Sequence, residues 1–313
     1  MRKVLYDRFG DEQVLEVREQ PAPTISQNQL LIQVKAASIN PLDWKIYHGE
    51  MKLLSGSSFP KGVGIDFAGI VSQVGSGVTR YRPGDAVFGF LEVFKGGALA
   101  DYVVVTEEAI AHKPANISFD QAAALPVTGL AALQIVDQLA GVRQGHEVLI
   151  NGATGGVGLF AIQLAKQRGA RVTAVAGPAG LGQATQLGAD SVIDYTKQRI
   201  GELPQRFDAI IDMSDKLSFT AAQQLLKPRA TFVSMLPSPL GLARAFFHNL
   251  FSGQKHQILI LKPSATGLRT LAALAEGGLQ IPVEKVYDLA NIRQAYQETS
   301  QGQVKGKAVV VLD

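Results

Sequence analysis

The stretch Glu147-Val148-Leu149-Ile150-Asn151-Gly152-Ala153-Thr154-Gly155-Gly156-Val157-Gly158 leaves this chain few folds. An apolar run of strand length leads into a glycine cluster, and Val157, Phe160, Ala161, Leu164 and Ala165 then recur at helical spacing until Gly169 stops the pattern. A loop between a buried strand and a helix start offers free backbone N–H groups and the positive end of the helix dipole, which together favour a pyrophosphate. A tight turn without a ligand would also use glycines. Strand, glycine loop, helix and a second apolar strand from Val172 to Val175 occur here in order, and that context points to a dinucleotide fold. Gly152, Ala153, Thr154, Gly155, Gly156, Val157 and Gly158 are the expected cofactor-binding loop, with Ala153 standing where the G-x-G-x-x-G fingerprint has its first glycine.

In such folds an acidic residue about 20 positions past the loop binds the ribose 2′-hydroxyl, and its absence favours a 2′-phosphate. No Asp or Glu lies between Leu159 and Ala189. The second strand ends at Ala176-Gly177-Pro178-Ala179-Gly180, small residues that leave room and backbone N–H groups for an extra phosphate. NADPH is therefore expected over NADH, with Gly177 at the turn. No Arg or Lys occupies that turn; the nearest candidates are Tyr195 and Lys197 after the third strand, and Tyr195 reads equally as a packed surface aromatic.

At 313 residues the chain has room for two domains with real cores. Short β-like runs between Gly, Pro and Asp turn signals fill Leu5 to Val105, as in Leu30 to Val34 and Ala68 to Val71. From about Ser118 strands and helices alternate, with apolar strands at Val148 to Ile150, Val172 to Val175, Val192 to Ile193, Ala209 to Ile211 and Phe232 to Met235. Such strands between helices predict a parallel sheet covered on both faces, an α/β architecture. Helices near Leu268 to Glu276 and Ile292 to Glu298 and a strand from Ala308 to Leu312 close the chain.

Thirty Lys and Arg against 27 Asp and Glu give a net charge of +3, too small to argue for nucleic acid. The absence of cysteine removes disulfides, thiol nucleophiles and thiolate zinc sites. The N-terminal residues show no secretory pattern, and the longest apolar stretch, Ala122 to Val136, is broken by Pro126, Thr128, Gly129 and Gln134, so neither export nor a transmembrane helix is expected and cytosol is the default. Assembly as a homodimer stays open.

Ala37-Ser38-Ile39-Asn40-Pro41-Leu42-Asp43-Trp44-Lys45, Gly64-Ile65-Asp66-Phe67-Ala68-Gly69-Ile70-Val71, Gly84-Asp85-Ala86-Val87, the glycine loop, Leu187-Gly188-Ala189-Asp190 and Gly306-Lys307 follow one another in an order that resembles the zinc-free quinone oxidoreductase branch of the medium-chain dehydrogenase/reductase superfamily. The likeness spans essentially the full chain and is nearest the chloroplast-envelope quinone oxidoreductases and the alkenal and enone reductases. It implies a GroES-like β domain over residues 1–117 and 264–313, a Rossmann doubly wound parallel-sheet domain over 118–263, and an active site in the cleft between them. It further implies cofactor contacts at Thr128 and Ser234, and at Lys307, which aligns with a phosphate-reaching position in relatives; a plain exposed lysine is the alternative. The catalytic zinc ligands of the alcohol dehydrogenases in this superfamily fall at Asn40, Ile65 and about Ala124, which form no zinc site. His48, His112, His146, His248 and His256 show no ligand spacing either.

Without a metal to polarise an oxygen, the chemistry suits acceptors already activated by conjugation, quinones or the alkene of an α,β-unsaturated carbonyl. Lys45 and Asn40 are the expected donors to the oxygen that gains charge, with Asp43 as their orienting partner and Asp66 and Asp85 as structural carboxylates. Against this stand a surface Lys45 paired with Asp43, and an Asn40 that merely starts the turn before Pro41. The segment Leu240 to Leu261, with Phe246, Phe247, Leu250 and Phe251 beside Arg244, Lys255 and His256, reads first as packed core or interface aromatics and second as a membrane-contacting helix. Other functions compatible with the pattern are an acyl-thioester enoyl reductase and a noncatalytic NADPH-binding protein of the zeta-crystallin kind.

Overall fold

The computed structural model describes residues 1–235 and 238–312. The chain divides into two compact units, one of Met1–Val127 with Pro263–Asp313 and one of Thr128–Lys262. The first boundary lies ten residues beyond the expected 117/118. The cause is the helix Phe119–Ala124, whose alanines pack on the strands Leu30–Ser38 and Asp66–Val74 of the first unit.

The first unit is built on antiparallel pairing, except that Val283–Asp288 runs parallel to Lys307–Val311. Its main sheet runs in the order Val283–Asp288, Lys307–Val311, Leu30–Ser38, Asp66–Val74, Ala86–Phe90, Ile110–His112, with Tyr102–Val105 also paired to Leu30–Ser38. A smaller sheet sets Arg2–Tyr6 between Glu16–Glu19 and Lys61–Gly62. The C-terminal strand is held by the start of the chain: Val309 opposes Ser38 and Val311 opposes Ala36. One apolar core joins Leu30, Ile32, Phe67 and Val87 to Tyr287, Ile292, Tyr296 and Val310 from the tail.

The second unit holds six parallel strands in the order Ser191–Asp194, Arg171–Ala176, Glu147–Asn151, Phe207–Asp212, Leu226–Ser234, Lys255–Ile258. Numbered along the chain this is the doubly wound order, and the direction of winding reverses between Glu147–Asn151 and Phe207–Asp212, where the carboxyl ends of such strands form a ligand crevice. Their near-continuous burial reflects helices on both faces. The sixth strand, Lys-His-Gln-Ile, is too polar to read as a strand from composition; it forms because the exposed edge of Leu226–Ser234 offers it a parallel ladder.

Candidate active site

In the second unit the glycine loop leaves the strand at Asn151 and enters the twelve-residue helix Gly156–Gln167 at Gly155. Gly152 carries the positive φ of the tight turn, +78°, one residue before the place where the fingerprint keeps its first glycine. That is why alanine is tolerated at 153: its backbone N–H bonds to Val175 O at 3.1 Å and its methyl is buried. Gly158 is constrained by space. A Cβ there would stand 2.5 Å from the carbonyl oxygens of both Gly152 and Ala153, so only glycine lets the helix seat against the loop.

The turn after the second strand comes to the same corner. A Cβ on Gly180 would meet Thr154 Oγ1 at 2.5 Å, and one on Gly177 would meet the Tyr195 hydroxyl at 3.0 Å. Thr154, Gly177 and Tyr195, far apart in sequence, are thus brought together, and Tyr195 is an exposed ring whose hydroxyl tip lies over the Gly177 turn. Asp194 was not foreseen there. It lies beyond the sequence window searched for an acid, yet sheet register sets it opposite Ala176. Its carboxylate accepts the Thr196 hydroxyl at 2.7 Å and the Thr196 N–H at 2.9 Å, which hold it below the usual carboxylate range, and Lys197 lies 3.9 Å away.

Asn151 and Asp212 are further residues that pattern reading missed. They end neighbouring strands at the reversal point, and the Asn151 amide donates to Asp212 Oδ1 and to Ser214 Oγ, both at 2.8 Å. Asp212 also accepts the Ser214 hydroxyl and the N–H groups of Ser214 and Leu217, so it shapes both loops that border the crevice. The available signal was a single polar residue closing each of two apolar strands. Ser234 ends the fifth strand with its hydroxyl 3.1 Å from His256 Nε2. The His256 ring stacks on Phe219 at 4.8 Å, and burial, then the nearby His248, lower its pKa. Thr128 is buried in the helix Pro126–Leu133.

In the first unit Asn40, Asp43 and Lys45 lie at the helix Pro41–Tyr47. Proline at its first position and Asp43 three residues after the cap start it: Asp43 Oδ2 accepts the Asn40 N–H at 2.8 Å. The Asn40 side chain is used elsewhere. Its amide donates to Asp66 Oδ2 at 2.9 Å and its carbonyl oxygen accepts from Lys307 Nζ at 2.9 Å. Asp66 also takes Ser38 Oγ at 3.0 Å and the Val127 N–H at 3.0 Å, and Tyr296 donates to Asp43 at 3.1 Å.

Three expectations are corrected by this cluster. Asn40 is 1% exposed with both ends of its amide engaged, so it holds the helix start instead of presenting a donor to a substrate. Lys307 is 2% exposed and its ammonium turns inward to Asn40 and to Ile39 O at 3.1 Å, with Asp66 at 3.9 Å, so it serves a buried ion cluster and is not displayed to a phosphate. Asp43 orients the Asn40 backbone and not Lys45, because residues two apart on a helix point to different sides. Lys45, half-buried, has no ion-pair partner among the described residues.

Burial pushes both carboxyls up. For Asp66 the Lys307 charge opposes the rise; Asp43 reaches about 7, since burial and the Asp66 charge outweigh its bonds from Asn40 and Tyr296. Asp43 also lines a cavity of about 10 Å³ with Tyr6, Ile46 and residues 62–65.

Two domain families match: the alcohol dehydrogenase GroES-like domain at residues 26–115 and a zinc-binding dehydrogenase domain at residues 187–310. The chain is 31% identical to the chloroplast envelope quinone oxidoreductase homolog of Arabidopsis thaliana, with 99% of this chain and 98% of that one covered. It is 38% identical to the 2-methylene-furan-3-one reductase of Solanum lycopersicum over 68% of this chain and 56% of the relative. The quinone oxidoreductase of Escherichia coli, solved as a complex with NADPH, superposes with a TM-score of 0.86 at 25% identity, all of both chains being covered. The chain belongs to the medium-chain dehydrogenase/reductase superfamily, and within it to the quinone oxidoreductase branch. It is an oxidoreductase with a GroES-like domain and a Rossmann-like domain.

The zinc that the matched family name implies does not fit the residues at the aligned positions. Ile65 and Ala124 carry no donor atom, and the Asn40 oxygen already holds the ammonium of Lys307.

Proposed function

We propose that this oxidoreductase uses NADPH to reduce quinones or the C=C bond of α,β-unsaturated carbonyls. The observation that carries the reading is what stands at the positions of a metal's ligands: Ile65 and Ala124 are aliphatic, and the Asn40 oxygen accepts from the buried ammonium of Lys307. A simple ketone needs its oxygen polarised strongly before it accepts hydride, whereas a conjugated acceptor spreads the incoming charge. The names of the relatives, a quinone oxidoreductase and an enone reductase, and the NADPH complex of the Escherichia coli enzyme support the same class.

NADPH, when bound, supplies the hydride. Residues 152–158 would hold its pyrophosphate by backbone N–H groups and the start of the Gly156–Gln167 helix. Gly177 and Tyr195 would take the 2′-phosphate, since the second strand ends without a carboxylate and Asp194 beside it is tied down by Thr196. Ser234 and Thr128 complete the proposed cofactor set. Lys45, whose ammonium no carboxylate among the described residues engages, donates a charged hydrogen bond to the substrate oxygen that gains charge. Asn40, Asp43 and Lys307 fix the helix that carries it.

The test follows the loss of NADPH absorbance with a naphthoquinone, an alkenal, a crotonyl thioester and a simple ketone, in wild type and Lys45→Met. Turnover with the first two and not with the ketone is expected. The variant lowers kcat with the alkenal by roughly tenfold or more and leaves NADPH affinity unchanged, because the bond from Lys45 strengthens only as charge develops. Ketone turnover equal to that of the alkenal, or a variant that matches wild type, overturns the reading.

A further inference from the structure

A 2′-phosphate calls for a cation, and the turn at residues 176–180 has none. A phosphate monoester carries about −1.5 to −2 charge at neutral pH, and dinucleotide folds that accept one set a cationic side chain nearby. The elements that border the turn do not supply it. The glycine loop and the first ten residues of the Gly156–Gln167 helix contain no Lys or Arg. Lys166 stands in the last turn of that helix and is bound to both oxygens of Asp190, at 2.8 and 2.7 Å. The helix Leu181–Gln186, which follows the turn, is uncharged. Arg171 begins the second strand at its opposite end, 3.6 Å from Glu147. Lys216 follows Phe207–Asp212, a strand separated from Arg171–Ala176 by Glu147–Asn151.

The loop after the third strand does bring a cation to this corner. Register sets Asp194 opposite Ala176, and the Tyr195 N–H continues the ladder to Ala176 O at 3.2 Å. The chain then folds back, because Asp194 O accepts the N–H groups of Lys197 and Gln198, both at 3.0 Å. Thr196 occupies Asp194 Oδ1 with its hydroxyl and its N–H. The other carboxylate oxygen, Oδ2, is buried and accepts no hydrogen bond among the described residues, and the Lys197 ammonium stands 3.9 Å from it. That distance is too long for a hydrogen bond, and the lysine side chain is 81% exposed. The carboxylate therefore draws the ammonium toward the end of the strand without committing it. Lys197 has no other ion pair among the described residues. Its charge also offsets that of Asp194, which alone would repel a phosphate bound beside Gly177 and Tyr195.

We propose, resting on NADPH as the cofactor, that Lys197 is the cation that recognises its 2′-phosphate and so sets the preference over NADH. The ammonium leaves Asp194 for the phosphate when the nucleotide binds, exchanging a loose ion pair for a charged hydrogen bond. The experiment is fluorescence titration of the purified full chain with NADPH and with NADH, at low and high salt, in wild type, Lys197→Met, Lys197→Arg and Arg199→Met, the last removing the next cation along the loop. Lys197→Met weakens NADPH binding roughly tenfold and leaves NADH binding unchanged, whereas Lys197→Arg keeps most of the affinity and Arg199→Met alters neither. Salt weakens NADPH more than NADH in wild type, and Lys197→Met loses that difference. Melting temperatures stay at the wild-type value because the side chain is exposed. A Lys197→Met variant that prefers NADPH as strongly as wild type, a loss shared equally by both nucleotides, or a loss found in Arg199→Met instead overturns the assignment and leaves NADPH as the cofactor. Wild type that binds NADH as tightly as NADPH overturns the cofactor reading, and the role of Lys197 falls with it.

Discussion

Asp43 holds its proton unusually tightly for a carboxyl, and this gives the protein a signature in solution. Its folded pKa of about 7 lies above the ordinary carboxylate value near 3.9. Between these values the folded state keeps a proton that the unfolded chain releases, so stability falls as pH rises through the window and the contribution is gone above the folded pKa. Asp66, raised by the same burial, adds in the same direction. Asp43→Asn keeps an acceptor for Asn40 and Tyr296 but cannot ionise. We expect the melting temperature of wild type to decline between pH 5 and pH 8 and that of the variant to decline less; parallel curves by calorimetry would show that another group titrates. Little of this cluster was legible in the sequence. The motif around Asn40 and Asp43 announced a site, but a lysine near the end of a chain reads as exposed by residue type. Lys307 meets Asn40 only because the fold brings together residues 267 positions apart.

At the scale of elements, local pattern and structure agree where burial is one-dimensional. The first five strands of the parallel sheet and the helix after the glycine loop are apolar runs between turns, and all were legible. The sixth strand and the outward face of the Pro239–Phe251 helix were not, because a polar edge strand and an exposed apolar stripe both invert the composition that burial normally imposes. Tight contacts also escape pattern reading, as with Asp194, which only sheet register sets beside Ala176. The turn after the second strand yields a prediction. Gly177 has φ −77° and ψ 166°, which any residue adopts, so a substitution there is not a backbone lesion. Its nearest neighbour is the Tyr195 hydroxyl, the free tip of an exposed ring that can move aside. Gly177→Asp should fold normally and lower NADPH affinity by roughly tenfold or more through like-charge repulsion, while NADH affinity holds or rises. Fluorescence titration of both nucleotides at one ionic strength checks this, and an equal loss for both would place the 2′-phosphate elsewhere.

The chain as a whole is threaded so that its first unit is completed by its last fifty residues. Two apolar patterns, one mostly β and one alternating, showed that there are two units, but not that the helix Phe119–Ala124 belongs to the first or how deeply the tail is woven into it. Eight of the 26 buried residues in the core of that unit, from Tyr287 to Leu312, come from the tail. Removing residues 263–313 would strip these side chains from the core, at a typical cost of 2–5 kcal/mol for each large one, against a total domain stability of about 5–15 kcal/mol. It would also free the edge of Leu30–Ser38 at Ala36, Ala37 and Ser38, and leave Asp66 and Asn40 buried without the Lys307 ammonium and Asp43 without the Tyr296 hydroxyl. An uncompensated buried charge alone costs about 3–5 kcal/mol. The second unit loses none of its strands, and its core of Leu149, Val175, Ile210, Leu225 and Phe232 contains no residue beyond 262. A chain ending at Lys262 should therefore lose the protease resistance and strand signals of residues 1–127 while the glycine-loop unit stays protected. Limited proteolysis with mass spectrometry would read this directly, and protection of residues 30–74 in the shortened chain would show that the first unit does not depend on its tail.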